Sequence, residues 1–171
     1  MNRQSEEDIG MNKEAVTIVV YDKKTGLMLA THRKDDCTKW GMPGGKIDPG
    51  ESALEAIVRE LGEETPYTAL INNIEYLGMF PCNGEVYYDV HTFLVPDPSK
   101  LMINLSLKGI EQNYAWVNPK LLTSGPFADF NSKLFNQYQD RIFGLNNSNV
   151  ANNKRYVDNM PDEFPEDYEV N

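Results

Sequence analysis

Three glutamates stand close together in a stretch of the chain whose apolar residues recur at helical spacing. Glu60, Glu63 and Glu64 are three and four positions apart, so a helix places them on one face. Carboxylates crowded in this way repel one another by about a few tenths of a kcal/mol per pair. A chain that keeps them has either a charged stripe facing solvent or a bound cation.

The residues around these glutamates favour the cation. Residues 43–45 read Pro-Gly-Gly and residues 49–50 read Pro-Gly, so a tight, turned loop leads into the helix. Glu51 adds a fourth carboxylate at the start of the helix, and Arg59 adds a positive partner beside Glu60. Hard oxygen ligands, with backbone carbonyls of a glycine loop nearby, suit Mg²⁺ or Mn²⁺ and not zinc.

The helix itself is predicted from its ends and its apolar face. Ser52 is a good N-cap, and Glu55 three positions later completes a capping box. The helix should then run to about Glu64. Its predicted core face, at helical spacing, consists of Leu54, Ile57, Val58 and Leu61.

This segment resembles the Nudix box, Gly-x5-Glu-x7-Arg-Glu-U-x-Glu-Glu-x-Gly-U, in which U is a bulky apolar residue. The match departs at its end, where Pro66 replaces the last glycine and Tyr67 takes the final apolar position. Proline also ends a helix, so this departure affects the helix exit and leaves the ligands in place. A solvated acidic helix explains the glutamates but not the spacing of the loop. The matching residues are Gly45, Glu51, Arg59, Glu60, Leu61, Glu63 and Glu64.

The resemblance implies an α/β sandwich with a mixed central sheet between helices, and attack of water on a phosphorus of a pyrophosphate linkage. It implies Mg²⁺, with Mn²⁺ as the alternative. Arg59 would orient the carboxylates through Glu51, and an ordinary helix ion pair is the alternative for Arg59. The implied metal ligands are Glu60 and Glu64, assisted by Glu63, with the carbonyl of Gly44 completing the set.

The general base differs among members of the family. Some use a glutamate of the box, here Glu63 or Glu64, and others use a glutamate in a later loop. Glu111 is the best later candidate because it precedes the predicted strand 114–117, although a plain loop acid is an equally good explanation.

Candidate substrate contacts lie before the box. Arg33 and Lys39 flank this loop and could hold phosphates, although surface charges are the commoner explanation. Trp40 could stack on a base, but a core position is more common. His91 is expected to be structural.

The resemblance leaves the substrate open among nucleoside triphosphates, including oxidised ones, and ADP-ribose or dinucleotide types. Residues 40–45 have the form Trp-x-x-Pro-Gly-Gly, which is common in members acting on triphosphates. Pro81 lies close to the position of a proline often found in ADP-ribose hydrolases, but is off by one. A Nudix-fold module that senses a nucleotide or binds a partner without turnover is the alternative function, and the retained acids argue against it.

Composition restricts the class of protein. A chain of 171 residues with 40% hydrophobic residues fits one globular domain. The net charge of −10 argues against broad nucleic-acid binding. The sequence has no apolar run long enough for a membrane span, and two cysteines, Cys37 and Cys82, make no disulfide scaffold. We therefore expect a cytoplasmic monomer or homodimer with inert thiols and a small nucleotide substrate.

The remaining pattern predicts strands before and after the box helix and an amphipathic helix at the end. The predicted organisation is a loose lead over 1–12, a Nudix hydrolase domain over 13–145 and an acidic, mobile tail over 146–171. The expected elements are strands at 15–21, 27–32, 72–80, 85–95 and 114–117, a charged loop at 33–39, a turn at 81–84, a short helix opened by Asn118 and Pro119, and a helix over 127–142.

Overall fold

The computed structural model describes residues 13–84, 86–104 and 112–144. The strands are β1 Lys13–Val19, β2 Tyr21–Asp22, β3 Leu27–Arg33, β4 Asp36–Gly41, β5 Gly44–Lys46, β6 Tyr67–Thr68, β7 Glu75–Asn83, β8 Tyr87–Leu94, β9 Met102–Ile103 and β10 Gln112–Val117. The helices are α1 Ala53–Glu64, α2 Pro119–Leu122, α3 Ala128–Gln137 and α4 Gln139–Phe143, with short 3₁₀ turns at Ile71–Asn73 and Pro98–Lys100.

The strands form two main sheets, and the chain has the mixed α/β fold expected from the sequence. The first sheet has the order β5-β1-β8-β7, in which β1 is parallel to β8 and the other pairs are antiparallel. The second has the order β10-β3-β2, with β4 also paired to β3, and is wholly antiparallel. Strands β6 and β9 form a small separate pair.

Two buried clusters hold these layers together, and each belongs to a different helix. The cluster on α1, called the α1 core below, includes Val16, Ile18, Leu29, Ile57, Leu61 and Phe93. The cluster on α3, called the α3 core, includes Val19, Met28, Leu122, Leu134, Phe135 and Ile142. Alternate residues of β1 point into the two cores, because successive side chains of a strand face opposite ways.

Helix α1 begins and ends as the sequence predicts. The Ser52 hydroxyl accepts from the backbone of Glu55, whose carboxylate accepts from the backbone of Ser52, so the capping box is complete. At the other end the Thr65 hydroxyl donates to the carbonyl of Leu61 at 2.7 Å. Pro66 follows directly, and it ends the helix in place of the glycine of the family pattern.

Three expectations about the other elements were wrong. The predicted loop at 33–39 is largely strand β4, because residues 36–41 find a partner in β3 that local sequence does not reveal. The turn predicted at 81–84 starts later, since Pro81 lies within β7 at the edge of its sheet, where a missing donor is tolerated. The last helix breaks at Tyr138, whose hydroxyl donates to the carbonyl of Leu77 on β7 at 2.8 Å.

No helix among the described residues is long and apolar enough to cross a membrane.

Candidate active site

The glycine loop before α1 is fastened to β1. The carbonyl of Pro43 accepts from the backbone of Ile18 at 3.0 Å and from the Thr17 hydroxyl at 3.1 Å. A Cβ at Gly44 would lie 2.1 Å from the carbonyl oxygen of Val16. Only glycine permits this approach, so the loop has one position against the strand.

Gly45 leaves room for a carboxylate of the helix. A Cβ there would lie 2.4 Å from one carboxylate oxygen of Glu60 and 2.8 Å from the other. The Glu60 side chain is 13% exposed and thus lies between α1 and the loop. The glycine spacing of the loop therefore positions this acid.

Glu64 is the most deeply buried acid of the segment. It is 2% exposed, and the Thr31 hydroxyl donates to its Oε2 at 3.1 Å. Its Oε1 is also buried but has no hydrogen-bond partner. Burial raises the pKa of Glu64 to about 9, the neighbouring Glu60 adds to the rise, and Thr31 and the backbone of Gly44 oppose it. A carboxylate in this position needs a proton or a cation.

Arg59 ties the other acids together. Its Nε and Nη2 donate to the two oxygens of Glu51 at 2.7 and 3.0 Å, as a fork. Its Nη1 reaches Glu60 at 2.9 Å and Glu63 at 3.1 Å, and Nη2 also donates to the carbonyl of Lys46 at 3.1 Å. These bonds lower the pKa of Glu51 and raise that of Arg59. The predicted contact of Arg59 with Glu51 is present, in a network larger than a simple ion pair.

The donor set fits a divalent cation. Within the described ranges, no three His, Cys, Asp or Glu side chains already surround one point, and Arg59 engages Glu60 and Glu63 instead. The unpartnered oxygen of Glu64 and the adjacent Glu60 nevertheless supply hard oxygen ligands in one place, next to the backbone of Gly44. This chemistry suits Mg²⁺ or Mn²⁺.

A cavity of about 580 Å³ opens beside these acids. Its lining residues fall into two groups. The group on the acidic side includes Val16, Thr17, Thr31, Gly44, Gly45 and Glu64, and the group on the α3 side includes Met42, Cys82, Pro126, Phe127, Phe130 and Asn131. The cavity thus extends from the α1 core to the α3 core.

Two of the three residues predicted to contact the substrate line this cavity. Arg33 and Lys39 line it, and they also form ion pairs with Asp35 and Asp36 at 3.1 and 3.4 Å. The ring of Trp40 is not among the lining groups; it packs edge-on against His32 at 4.5 Å and against the α3 core.

Of the other residues singled out in the sequence, Cys82 lines the cavity and His91 does not. His91 joins Tyr76 and Glu14 at 2.8 and 3.1 Å, as expected of a structural histidine. Burial raises the pKa of the Cys82 thiol, which is typical of an unreactive cysteine. Glu111, the candidate base from the later loop, lies outside the described residues, as do the lead and tail segments.

Several residues of the site carried no signal in the sequence. Thr31 is one of many strand threonines, and its bond to Glu64 spans 33 positions. Phe127 and Asn131 fall within the predicted amphipathic helix over 127–142, which gives neither of them a role in the site. Only the folding of α3 over the sheet brings both to the cavity.

The comparison with known families decides the class of protein. The NUDIX domain profile matches residues 11–138, about three quarters of the chain. The chain belongs to the Nudix family. The predicted box is therefore confirmed as part of a Nudix domain that extends from before β1 to the end of α3.

Curated relatives of this Nudix chain are named for different substrates. It is 39% identical over 62 residues to a putative 8-oxo-dGTP diphosphatase of Bacillus subtilis, covering 36% of this chain and 40% of that protein. It is 37% identical over 99 residues to an RNA pyrophosphohydrolase of Sulfurovum, and the match covers 50% of this chain and 60% of that protein. A CTP pyrophosphohydrolase of Escherichia coli is 28% identical over 119 residues, covering 69% and 84%. The chain thus spans about half the length of the first two relatives.

Solved Nudix structures share the fold. The dihydroneopterin triphosphate pyrophosphohydrolase of E. coli superposes with a TM-score of 0.57 at 18% identity, covering 80% of this chain and all of that one. The NUDIX domain of Shewanella oneidensis NrtR, in complex with ADP ribose, gives a TM-score of 0.57 at 18% identity, covering 81% and 94%. At this identity the likeness concerns the fold alone.

Proposed function

We propose that this Nudix protein hydrolyses a phosphate–phosphate linkage in a nucleoside diphosphate derivative, with a divalent cation held by the box acids. The observation that carries the proposal is the buried Glu64 carboxylate at the cavity, whose Oε1 lacks a partner while Glu60 lies beside it. The pyrophosphohydrolases among the relatives support the same reaction class.

Each residue of the segment has a role in this proposal. Glu60 and Glu64 are the main ligands, Glu63 assists them, and the carbonyl of Gly44 completes the set. Arg59 is a positioning residue, because its fork on Glu51 holds it where Nη1 meets Glu60 and Glu63.

When bound, Mg²⁺ or Mn²⁺ would neutralise phosphate charge and favour ionisation of the attacking water. Arg33 and Lys39 would meet the outer phosphates at the cavity lining. Thr31 would keep Oε2 of Glu64 oriented by its hydrogen bond and leave Oε1 for the cation. Glu111 remains the alternative to Glu63 and Glu64 as the group that takes the proton from water.

The proposed linkage is tested with a panel of nucleoside triphosphates, ADP-ribose, dinucleoside polyphosphates and nucleotide sugars, with Mg²⁺ or Mn²⁺. The products should come from cleavage between two phosphorus atoms, and excess chelator should abolish turnover. Hydrolysis of phosphomonoesters alone would contradict the proposal. Tight nucleotide binding without turnover across the panel would replace it by a sensing module.

A further inference from the structure

The hydroxyl of Thr17 is a buried polar group at the cavity to which the proposed function assigns no role. Thr17 lies on β1, is 8% exposed and lines the cavity. Its hydroxyl donates to the carbonyl of Pro43 at 3.1 Å, and the backbone N–H of Ile18 donates to the same carbonyl at 3.0 Å. A carbonyl oxygen has two lone pairs, so these two donors from one strand fix its direction.

The peptide unit between Pro43 and Gly44 connects this carbonyl to the acids of the site. The carbonyl of Pro43 and the N–H of Gly44 belong to one planar trans unit, in which they point in opposite directions. The backbone of Gly44 lowers the pKa of Glu64, as an N–H near a carboxylate does and a carbonyl oxygen does not. One end of the unit is thus held by β1, and its other end lies beside the Glu64 carboxylate.

Only one of the two donors depends on a side chain. Gly44 is paired with Thr17 in the register of β1 and β5, and a Cβ at Gly44 would lie 2.1 Å from the carbonyl oxygen of Val16. The loop therefore cannot move closer to β1, but it can move away when a donor is lost. Ile18 donates through its backbone, so the Thr17 hydroxyl is the donor that a substitution removes.

We propose that Thr17 is a positioning residue for the cation site, whose hydroxyl orients the Pro43–Gly44 peptide toward Glu64 and so holds this carboxylate in place for a divalent cation. The inference rests on the proposed function for the cation, and adds a strand residue outside the Nudix box to the groups that shape the site. Thr31 donates to the same carboxylate from β3, so two strands would fix the position of Glu64.

Mn²⁺ binding to the substrate-free protein tests this role without turnover. The electron paramagnetic resonance signal of free Mn²⁺ gives the Kd of the wild type and of each variant. Thr17→Val keeps the shape of the side chain and removes the donor, so the Kd should rise roughly threefold to tenfold, as expected for one lost hydrogen bond. Thr17→Ser keeps the donor and loses only a methyl group, so it should bind Mn²⁺ nearly as tightly as the wild type.

Thr92→Val is the matched control, because Thr92 lies beside Thr17 on the neighbouring strand β8 and is fully buried. Its hydroxyl donates to the carbonyl of Val90 on its own strand at 3.4 Å, and Thr92 does not line the cavity. Thr92→Val should therefore leave the Kd for Mn²⁺ unchanged, even if it changes Tm. The inference is overturned if Thr17→Val binds Mn²⁺ as tightly as the wild type, or if Thr17→Ser or Thr92→Val weakens binding as much as Thr17→Val.

Hydrogen exchange in the metal-free wild-type protein is a second test, which does not require any variant to fold. The amide of Gly44 should exchange as slowly as the amides in the middle of β1, because its peptide unit is held at both ends. Exchange of this amide at the rate of an unprotected loop would overturn the inference.

The two proposals can fail separately. Mn²⁺ binding that depends on Thr17, in a protein that hydrolyses no member of the nucleotide panel, would refute the proposed function and leave this inference standing. Cation-dependent hydrolysis with a Kd for Mn²⁺ that does not change in Thr17→Val would do the reverse. A wild-type protein that binds no Mn²⁺ would overturn both.

Discussion

Glu64 lies almost wholly inside the protein, with one carboxylate oxygen bonded to Thr31 and the other unpartnered. We expect Glu64→Gln to fold and to lower kcat by orders of magnitude, because the cation would lose a charged ligand worth several kcal/mol of activation. Asp140→Asn, which removes an exposed acid of α4, is the control and should leave kcat unchanged. Near-normal turnover by folded Glu64→Gln would refute the ligand assignment.

The raised pKa of Glu64 also predicts how stability depends on pH. Its pKa is about 9 in the folded protein against an ordinary 4.5, so the folded state keeps a proton that the unfolded state loses. The free energy of unfolding of the metal-free protein should therefore fall between these pH values, with a slope of up to about 1.4 kcal/mol per pH unit.

Urea denaturation with chelator at pH 5 and pH 8 measures this dependence. Glu64→Gln should remove most of the decrease in the free energy of unfolding between these two pH values. Saturating Mg²⁺ should make this decrease smaller in the wild type only. If the free energy of unfolding depends on pH equally in the wild type and in Glu64→Gln, the decrease comes from other titratable groups.

Glu111→Gln separates the later candidate base from the box acids. If Glu111 takes the proton from water, its replacement should lower kcat at least about tenfold while the Mg²⁺ concentration for half-maximal activity changes little. Glu60→Gln should change both quantities together. A Glu111→Gln enzyme with unchanged kcat would leave Glu63 or Glu64 as the base.

At the scale of elements, strand β5 and helix α1 are closely packed, because Gly45 of β5 lies against the Glu60 carboxylate of α1. Gly45→Ala would place a Cβ 2.4 Å from the Glu60 carboxylate, so this side chain would be displaced. We expect the variant to fold and to need several-fold more Mg²⁺ for half-maximal activity.

Gly62 provides the matched substitution, because a Cβ at this position of α1 would meet nothing within 4 Å. Gly62→Ala should raise the free energy of unfolding by about 0.5–1 kcal/mol, the usual gain over glycine in a helix, and leave the Mg²⁺ requirement unchanged. A similar shift in Mg²⁺ requirement for both variants would show that the effect does not come from Glu60.

Elements defined by local signals were predictable, and elements defined by distant partners were not. Helix α1 could be predicted from the Ser52 cap, the helical spacing of its apolar residues and Pro66, all within 15 residues of sequence. Strand β4 exists because β3 lies beside it, and the charged residues 33–39 give no sign of this pairing. The acids of the site could be predicted because they belong to the same local pattern as α1. Thr31 and Asn131 reach the site only through tertiary packing.

At the scale of the whole molecule, we predict that residues 146–171 are not needed for chemistry. This segment is rich in Asn, Asp, Glu and Pro and offers few apolar side chains to offset the entropy of ordering. Truncation after Leu145 should leave Tm and kcat unchanged, as measured by calorimetry and by assay on the best substrate. A lower Tm would show that aromatic residues of this segment pack on the domain or on a second copy.

The cavity extends from one core of the molecule to the other. Glu64 belongs to the helix that organises the α1 core, and Phe130 packs on the α3 core. A nucleotide lying between them would connect these two packing units directly. Occupancy would then act like an added crosslink, and amide hydrogen exchange should slow in α1 and α3 together when one ligand fills both halves of the cavity.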